Sequence, residues 1–152
     1  MAKLMVIVRG ISGSGKSTLA NETYPDAVIL STDDLWMSYG NKPKYLWTAE
    51  GIGLSHTLNK IKCKEACSRS CETVVIDNTN TTWKEIKPYI EIAKEFKYSV
   101  VILEPTNEWS KDPIRCARRN IHDVPIDVLY RQLERFEDKG SIQGKIDAVL
   151  AQ

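Results

Sequence analysis

The stretch Gly10–Ser17, GISGSGKS, constrains the fold of this chain more than any other part of its sequence. It satisfies the G-x4-G-K-S spacing of a phosphate-binding loop, and it lies between the apolar run Leu4–Val8 and a segment with helical character. Glycines in such a loop let backbone amides converge on phosphate oxygens, and the helix that follows points its positive end at them. The match in this strand–loop–helix context predicts a nucleotide-binding site.

Individual positions of the loop have predicted roles. Lys16 is expected to reach the bridge between the β- and γ-phosphates, and the Ser17 hydroxyl is placed to coordinate Mg2+. The expected cofactors are a nucleotide, taken as ATP, and Mg2+. The predicted nucleotide-binding residues of the loop are Gly10, Ser12, Gly13, Ser14, Gly15, Lys16, Ser17 and Thr18.

Strand-like and helix-like patterns alternate along the chain. The predicted strands are Leu4–Val8, Ala27–Leu30, Thr73–Ile76 and Tyr98–Leu103. The predicted helices are Gly15–Glu22, Thr48–Ser70, Thr82–Phe96, Ile114–Asn120, one from Pro125 that ends at Gly140, and Ile142–Leu150, with residues 33–47 irregular. This alternation favours an α/β fold of three layers, in which helices cover both faces of one parallel sheet and ligands bind at the carboxyl ends of its strands. We expect residues 1–152 to form a single domain.

Three local patterns refine the predicted helices. Apolar residues recur at helical spacing in two of them: Leu54, Leu58 and Ile61 in the second, and Ile126, Leu129, Tyr130, Leu133 and Phe136 in the fifth. Thr82 with Glu85 resembles a capping box, although Pro88 argues for a start nearer Glu85 because proline is tolerated only in the first turn.

The charge balance limits the kind of partner. Lys and Arg number 21 against 20 Asp and Glu, so the net charge of +1 creates no general attraction to nucleic acid. Any anionic substrate must then be held by a local cluster. The N-terminal segment MAKLMVIVRG fits a core strand better than a signal peptide, and no run reaches membrane-spanning length. We expect a cytoplasmic protein with no membrane association and no obligatory protein partner.

The four cysteines fit that expectation. Cys63, Cys67 and Cys71 recur every four residues, which places them along one stripe of a helix. Three thiols at this spacing span too much helix to close on one ion, so we interpret them as small, reduced, buried or half-buried side chains.

Two carboxylates follow the second predicted strand. Asp33 and Asp34 would lie opposite the phosphate loop, where a base could accept the proton of an attacking hydroxyl. Capping of the next helix is the alternative role for either residue. We predict Asp33 as the catalytic base and Asp34 as a substrate contact.

Polar residues also close the third predicted strand. Asp77 suits a Mg2+-associated carboxylate of Walker-B type, and Asn78, Thr79 and Asn80 are predicted to contact the substrate. Singly, each residue is also compatible with a turn that merely ends the strand.

Three arginines, Arg115, Arg118 and Arg119, cluster near the fourth predicted helical segment. We predict a lid in which Arg115 binds the nucleotide and Arg118 and Arg119 stabilise the transferred charge. The alternative is a solvated helix face.

Taken together and in order, GISGSGKST, STDD, DNTN and the R-R-N-x-H-x-V-P run resemble the P-loop kinase domains of the polynucleotide 5′-hydroxyl kinase family. The resemblance extends from Leu4 to about Glu137 and includes LEP after the fourth strand. It implies that Asp33 activates a 5′-hydroxyl, that DNTN lines the acceptor side, and that Arg118 or Arg119 belongs to the lid. A nucleic-acid 5′ end, short or single-stranded, is the partner that it implies.

Two positions depart from the family pattern. Trp36 stands where the phage enzymes carry an arginine, and Asn78 stands where they carry an aspartate. We interpret the two charges as one substrate-holding pair that this chain lacks. Trp36, with Tyr39, Tyr45 and Trp47, is available to stack a nucleobase, and partial burial against a helix is the equal alternative.

Two other functions stay open at this point. A kinase of a small hydroxylated metabolite or nucleoside would use the same catalytic parts, and the low net charge slightly favours it. A nucleotide-binding module without transfer is a third possibility, against which Asp33 argues, because binding alone needs no base.

Overall fold

A computed structural model describes residues 2–32, 49–119 and 124–152. It contains a four-stranded parallel sheet of β1 (Leu4–Val8), β2 (Val28–Leu30), β3 (Thr73–Asp77) and β4 (Ser99–Leu103) in the order β2-β3-β1-β4. Within the described residues six helices flank it: α1 (Lys16–Thr23), α2 (Ala49–Ser68), α3 (Trp83–Glu95), α4 (Pro113–Arg119), α5 (Ile126–Glu134) and α6 (Lys139–Leu150). The predicted α/β fold with a parallel sheet is confirmed.

Both faces of the sheet are covered, as the apolar strands require. Alternate residues of the central strands point to opposite sides, so Met5 and Ile7 pack with α2, α3 and α6. Val6 and Val8 pack instead on the side of α1, around Ala20. A third apolar cluster joins Ile11 of the phosphate loop to α4 and α5.

Strand register gathers the polar segments at one edge. Val8 pairs with both Asp77 and Leu103, so β1, β3 and β4 end at the same level. The loops that follow these strands, which begin with Arg9, Asn78 and Glu104, therefore share the carboxyl edge of the sheet.

The buried face of α2 differs from the prediction. Leu54 and Ile61 are exposed, and the buried positions are Ser55, Asn59, Cys63, Ala66 and Cys67. The helix turns its small and polar residues toward the sheet because Asn59 donates a hydrogen bond to the Tyr89 hydroxyl, 3.1 Å away. The interpretation of the cysteines as buried or half-buried side chains is confirmed, with Cys71 the half-buried one.

The start of α3 also differs. The helix begins at Trp83, so Pro88 lies beyond its first turn and the expected start near Glu85 is wrong. Thr82 is the N-cap residue but makes no capping bond with its side chain. Glu85 instead accepts a hydrogen bond from the hydroxyl of Thr81, and the amide of Trp83 donates to the distant carboxylate of Glu137.

The C-terminal helices divide earlier than predicted. Helix α5 ends at Glu134, and Gly140 lies inside α6 rather than ending the preceding helix. Asp138 caps α6 by accepting a hydrogen bond from the amide of Ser141. Ile126 and Tyr130 of α5 are exposed, so only part of the predicted apolar face is buried.

Among the described residues, no helix combines the length and apolar character needed to cross a bilayer. The expectations of a cytoplasmic location and of a single domain stay predictions.

Candidate functional site

The phosphate loop bridges β1 and α1 in a conformation that only glycine adopts readily. Gly13 and Gly15 have φ angles of 79° and 91°, in the left-handed region. A Cβ atom on Gly13 would lie 2.2 Å from the carbonyl oxygen of Cys116, so the loop packs directly on the backbone of α4. The glycines of the motif are therefore required by backbone geometry and by close packing.

Distant residues hold the loop in place. Gln132 of α5 accepts a hydrogen bond from the amide of Ser12 and donates one to its hydroxyl, at 2.9 and 3.2 Å. The side-chain amide of Asn107 donates to the carbonyl of Ser14, and the amide of Gly10 donates to the carbonyl of Thr79. Segments about 70 to 120 residues away along the chain thus support a local motif.

The predicted nucleotide-binding residues do not all face the same way. Lys16 is half-buried at the start of α1, and Ser17 and Thr18 are exposed beside it. Ser14, whose role in nucleotide binding stays a prediction, has a side chain fully buried against Gly10, and its amide donates to the carbonyl of Ile11. Its side chain lies beneath the loop rather than on the ligand side.

The two residues predicted to serve Mg2+ meet in the structure. The Ser17 hydroxyl donates a hydrogen bond to one carboxylate oxygen of Asp77, at 2.7 Å. Mg2+ prefers oxygen ligands and commonly takes only one or two from protein, with water and phosphate completing its shell. The donor set of this pair fits that ion, and the described residues contain no larger cluster of His, Cys, Asp or Glu for a metal.

The segment after β3 has several different tasks. Asn80 is buried with φ 46°, and its amide donates to the carbonyls of Val8 and Ile76 at 2.7 and 3.3 Å. This contradicts the prediction of Asn80 as a substrate contact, because the amide is used to tie β1 to β3. Asn78 accepts a hydrogen bond from the amide of Thr32, so it braces the end of β2.

Asn78 and Thr79 both line an open cleft beside the phosphate loop, with a volume of about 800 Å³. Ser12 and Lys16 lie at one side of it, and the other walls come from α2, α3 and α5. Its lining is rich in cations: Lys16, Lys60, Lys84, Arg131 and Arg135, with His56 beside them. The described lining holds a single carboxylate, that of Glu85, which accepts a hydrogen bond from Thr81 at 2.6 Å.

We call Lys60, Lys84, Arg131 and Arg135 the cationic wall. They belong to three different helices, so their sequence positions do not reveal that they share a surface. A cluster of this kind attracts anions even in a chain of net charge +1. The expected local cluster for an anionic ligand is therefore present, at residues that the sequence analysis did not identify.

The predicted lid arginines lie on α4, the helix that supports the loop. Arg115, Arg118 and Arg119 are all exposed, and the guanidinium of Arg119 lies 4.1 Å from the ring centre of Trp109. This cation–π contact holds Arg119 at the protein surface. The roles of the three arginines stay predictions.

Asp33, Asp34 and Trp36, together with Tyr39, Tyr45 and Trp47, lie outside the described residues. Their predicted roles in proton transfer and substrate binding stay predictions.

Arg9 is the largest feature that the sequence analysis missed. It is fully buried and donates hydrogen bonds to the carbonyls of Asn80, Thr81 and Glu137 and to the carboxylate of Glu104. Its guanidinium also stacks on the ring of Phe136 at 4.3 Å. Burial lowers the pKa of Arg9, and the charge of Glu104 opposes that shift.

Arg9, the residue that precedes the phosphate loop, therefore joins the loops after β3 and β4 and the segment between α5 and α6. A charged residue directly after an apolar strand was the available signal. Its partners are 71 to 128 residues away along the chain, so the pattern alone could not reveal them.

Comparisons with known proteins agree with this geometry. A family model described as an AAA domain, AAA_33, matches residues 5–139. NEDD4-binding protein 2 of Homo sapiens is 39% identical over 137 residues, which cover 88% of this chain and 8% of that protein. The 2′,3′-cyclic-nucleotide 3′-phosphodiesterase of Rattus norvegicus is 29% identical over 131 residues, covering 84% of this chain and 30% of that protein.

Two solved structures share the fold. A chain of the Pnkp1/Rnl/Hen1 RNA repair complex aligns with a TM-score of 0.68 and 15% identity, over 95% of this chain and 46% of its own length. Shikimate kinase from Acinetobacter baumannii aligns with a TM-score of 0.54 and 14% identity, over 98% of this chain and 79% of its own. The fold is therefore that of P-loop kinases. This chain spans less than a third of the curated relatives named above.

Proposed function

Because the chain belongs to the AAA_33 family of AAA domains, we propose that it is an ATP- and Mg2+-dependent kinase of polynucleotide 5′-hydroxyl groups. The observation that carries the proposal is the cationic wall, which faces a cleft of about 800 Å³ that also exposes Lys16 of the phosphate loop. A phosphate donor and a polyanionic acceptor could meet in this cleft.

The donor side follows from the phosphate loop. Its amides and the positive end of α1 would hold the phosphates of ATP, and Lys16 would neutralise charge on the β- and γ-phosphates. Ser17 and Asp77 would hold Mg2+, which withdraws charge from phosphate oxygens when bound. The loop would therefore contribute to catalysis by positioning the phosphates and by stabilising their charge, which are the main contributions that proteins make to phosphoryl transfer.

The acceptor side combines a base with a charged surface. Asp33 would accept the proton of the 5′-hydroxyl as its oxygen attacks the γ-phosphorus, a contribution of ~10^2–10^4 in rate. Lys60, Lys84 and Arg131 would hold the phosphodiester groups that follow the reacting hydroxyl. Glu85 offsets mainly the charge of Arg135, from which its carboxylate lies 3.9 Å. The field of the described lining stays positive, because five Lys and Arg residues line the cleft against this one carboxylate.

The relatives support the same class of acceptor. Two of the proteins that resemble this chain carry RNA repair or cyclic nucleotides in their names. That this chain acts on the same class of molecule is a proposal, since the chain matches only part of each of those proteins.

Transfer of labelled γ-phosphate from ATP tests the proposal directly. We expect transfer to a 5′-hydroxyl oligonucleotide, none to the same oligonucleotide carrying a 5′-phosphate, and a loss of ~10^2–10^3 in rate for Lys16→Ala. Asp33→Asn should lower the rate of transfer by ~10^2–10^4 and leave ATP affinity unchanged. Turnover of hydroxylated metabolites with no transfer to any oligonucleotide would reject the proposed acceptor.

A kinase of a small hydroxylated metabolite is the second candidate. The observation that favours it is the alignment with shikimate kinase, which extends over 98% of this chain and 79% of that enzyme. The cationic wall argues for the polynucleotide, because a small acceptor would reach only the part of the cleft next to Lys16. A panel that includes shikimate and nucleosides belongs in the same assay.

A further inference from the structure

Helix α5 packs on Ile11 of the phosphate loop through apolar side chains, and its polar contact with the loop is made by Gln132. This residue is buried, and its amide group makes both possible kinds of hydrogen bond with Ser12: it accepts from the backbone amide and donates to the hydroxyl. Both residues line the cleft next to Lys16. Gln132 thus holds Ser12 at the point of the cleft where donor and acceptor would meet.

The residues after Gln132 hold the other side of the same cleft. Arg135 donates a hydrogen bond to the hydroxyl of Thr81 at 3.0 Å, and the amide of Glu137 donates to the carbonyl of Thr81 at 2.8 Å. Thr81 follows directly on the segment Asp77–Asn80 that closes β3. Within six residues, the chain therefore contacts both the phosphate loop and the loop on the acceptor side.

The same helix turn carries two members of the cationic wall. Arg131 and Arg135 flank Gln132 in sequence, and both line the cleft. An anion bound by both arginines would therefore contact the last turn of α5 and the residue directly after it, next to the side chain that holds Ser12. Since a helix turn is stiff, a small displacement at the arginines moves Gln132 as well.

We propose that Gln132 is a positioning residue that couples occupancy of the cationic wall to the nucleotide affinity of the phosphate loop, through its two hydrogen bonds to Ser12. The positioning role rests on the two hydrogen bonds to Ser12, whereas the coupling to a polynucleotide rests on the proposed function. Binding at one site then changes affinity at the other by the same factor in both directions.

The first experiment measures nucleotide affinity alone. Calorimetry with Mg2+ and a non-hydrolysable ATP analogue should show about ten-fold weaker binding for Gln132→Leu, because two hydrogen bonds to the loop are lost. The matched control is Gln143→Leu, whose amide bonds only the exposed Asp147 on α6, and it should bind like wild type. If Gln132 served folding only, Gln132→Leu would lower the melting temperature and leave the affinity for the ATP analogue unchanged.

A double-mutant cycle locates the effect at Ser12. Ser12→Ala removes one of the two hydrogen bonds, so its effect and that of Gln132→Leu should be non-additive. Gln132→Glu covers the case in which the leucine variant fails to fold. It keeps the length and an acceptor for the Ser12 amide but places a negative charge beside the phosphates. Wild-type affinity in Gln132→Glu or additive effects in the cycle would overturn the positioning role.

The second experiment measures coupling. A single-stranded oligonucleotide ending in a 5′-deoxy group binds without reacting, and at saturation it should change the analogue affinity of wild type several-fold. In Gln132→Leu this change should disappear, while oligonucleotide affinity in the absence of nucleotide stays as in wild type. An unchanged coupling in that variant overturns the proposal. Absence of oligonucleotide binding to wild type would instead reject the proposed function and the coupling, and leave the positioning role to the first experiment.

Discussion

The phosphate loop and the cationic wall border the same cleft, but they are held in different ways. The loop is a contiguous segment whose backbone is fixed by buried contacts with Cys116, Asn107 and Gln132. The wall consists of the exposed Lys84, Arg131 and Arg135 and the half-buried Lys60, and among the described residues Arg131 forms an ion pair with the exposed Asp127. The donor side of the cleft is thus held by burial, whereas its other side acts through charge.

This difference predicts two classes of variant. Changes in the buried support should lower stability and nucleotide binding together, since unfolding and loss of the loop have the same cause. Changes in the wall should leave stability alone and alter binding of anions in a salt-dependent way. A change in the wall that lowers stability, or a change in the buried support that leaves stability unchanged, would contradict this difference between the two regions.

The largest effect is expected for Arg9→Met. This change leaves the Glu104 carboxylate and the carbonyls of Asn80, Thr81 and Glu137 without their shared donor, at a cost of about 3–5 kcal/mol in the free energy of unfolding. Urea denaturation measures it. The control Arg131→Met breaks an exposed ion pair and should cost no more than ~1 kcal/mol. Similar losses for both variants would contradict the buried role of Arg9.

Gly13→Ala is the next largest. Its Cβ atom would overlap the carbonyl oxygen of Cys116, and its φ of 79° disfavours alanine, so we expect a loss of ~2–4 kcal/mol together with loss of nucleotide binding. Gly144→Ala is the matched comparison, since nothing lies within 4 Å of its Cβ position inside α6. Gly144→Ala should stabilise the protein by ~0.5–1 kcal/mol. If Gly144→Ala instead lowered the free energy of unfolding, the conformation and packing of Gly13 would not explain the difference between the two variants.

A triple change in the wall should leave stability intact. Replacing Lys60, Lys84 and Arg131 by Ala should weaken oligonucleotide binding and lower the slope of log K against log salt by about 2, at ~0.7 for each charge. The control replaces three cations outside the cleft, Lys87, Lys94 and Lys145, between α3 and α6. Equal effects of the two triple variants on the slope would show that net charge, rather than this surface, attracts the ligand.

The smallest effect concerns thiol reactivity. Burial raises the pKa of Cys116, so its rate of alkylation should be slow at neutral pH and keep rising with pH beyond the range where an ordinary thiol has levelled off. Cys71 is half-buried and should react first. Mass spectrometry of iodoacetamide-treated protein measures both sites. Labelling of Cys116 ahead of Cys71 would show that the support behind Gly13 opens readily.

Local patterns predicted the parts of this molecule that depend on nearby residues. The strands were predicted to within one residue at most ends because buried parallel strands are continuous apolar runs. The proximity of Ser17 and Asp77 was predictable because parallel strands end at one edge of the sheet.

Predictions failed where a distant partner decided the outcome. Asn80 was expected on the substrate side, but the carbonyls of Val8 and Ile76 bind its amide. The helix predicted over Thr82–Phe96 is observed at Trp83–Glu95, so only the alternative start near Glu85 is wrong, and the amide of Trp83 donates to the carboxylate of Glu137 at the observed start. The apolar spacing of Leu54 and Ile61 was expected to face the core, but the hydrogen bond from Asn59 to Tyr89 accompanies a different buried face.

The sequence by itself determined the phosphate loop, the parallel order of strand and helix, and the edge of the sheet where polar residues collect. These properties depend on residue spacing and on the conformational range of glycine, both of which are local. Only the tertiary structure decided that Arg9 joins the loops, that Gln132 holds Ser12, and that cations from three helices form one wall. Such contacts join residues far apart in the chain, and the spacing within a segment carries no information about which distant segment will pack against it.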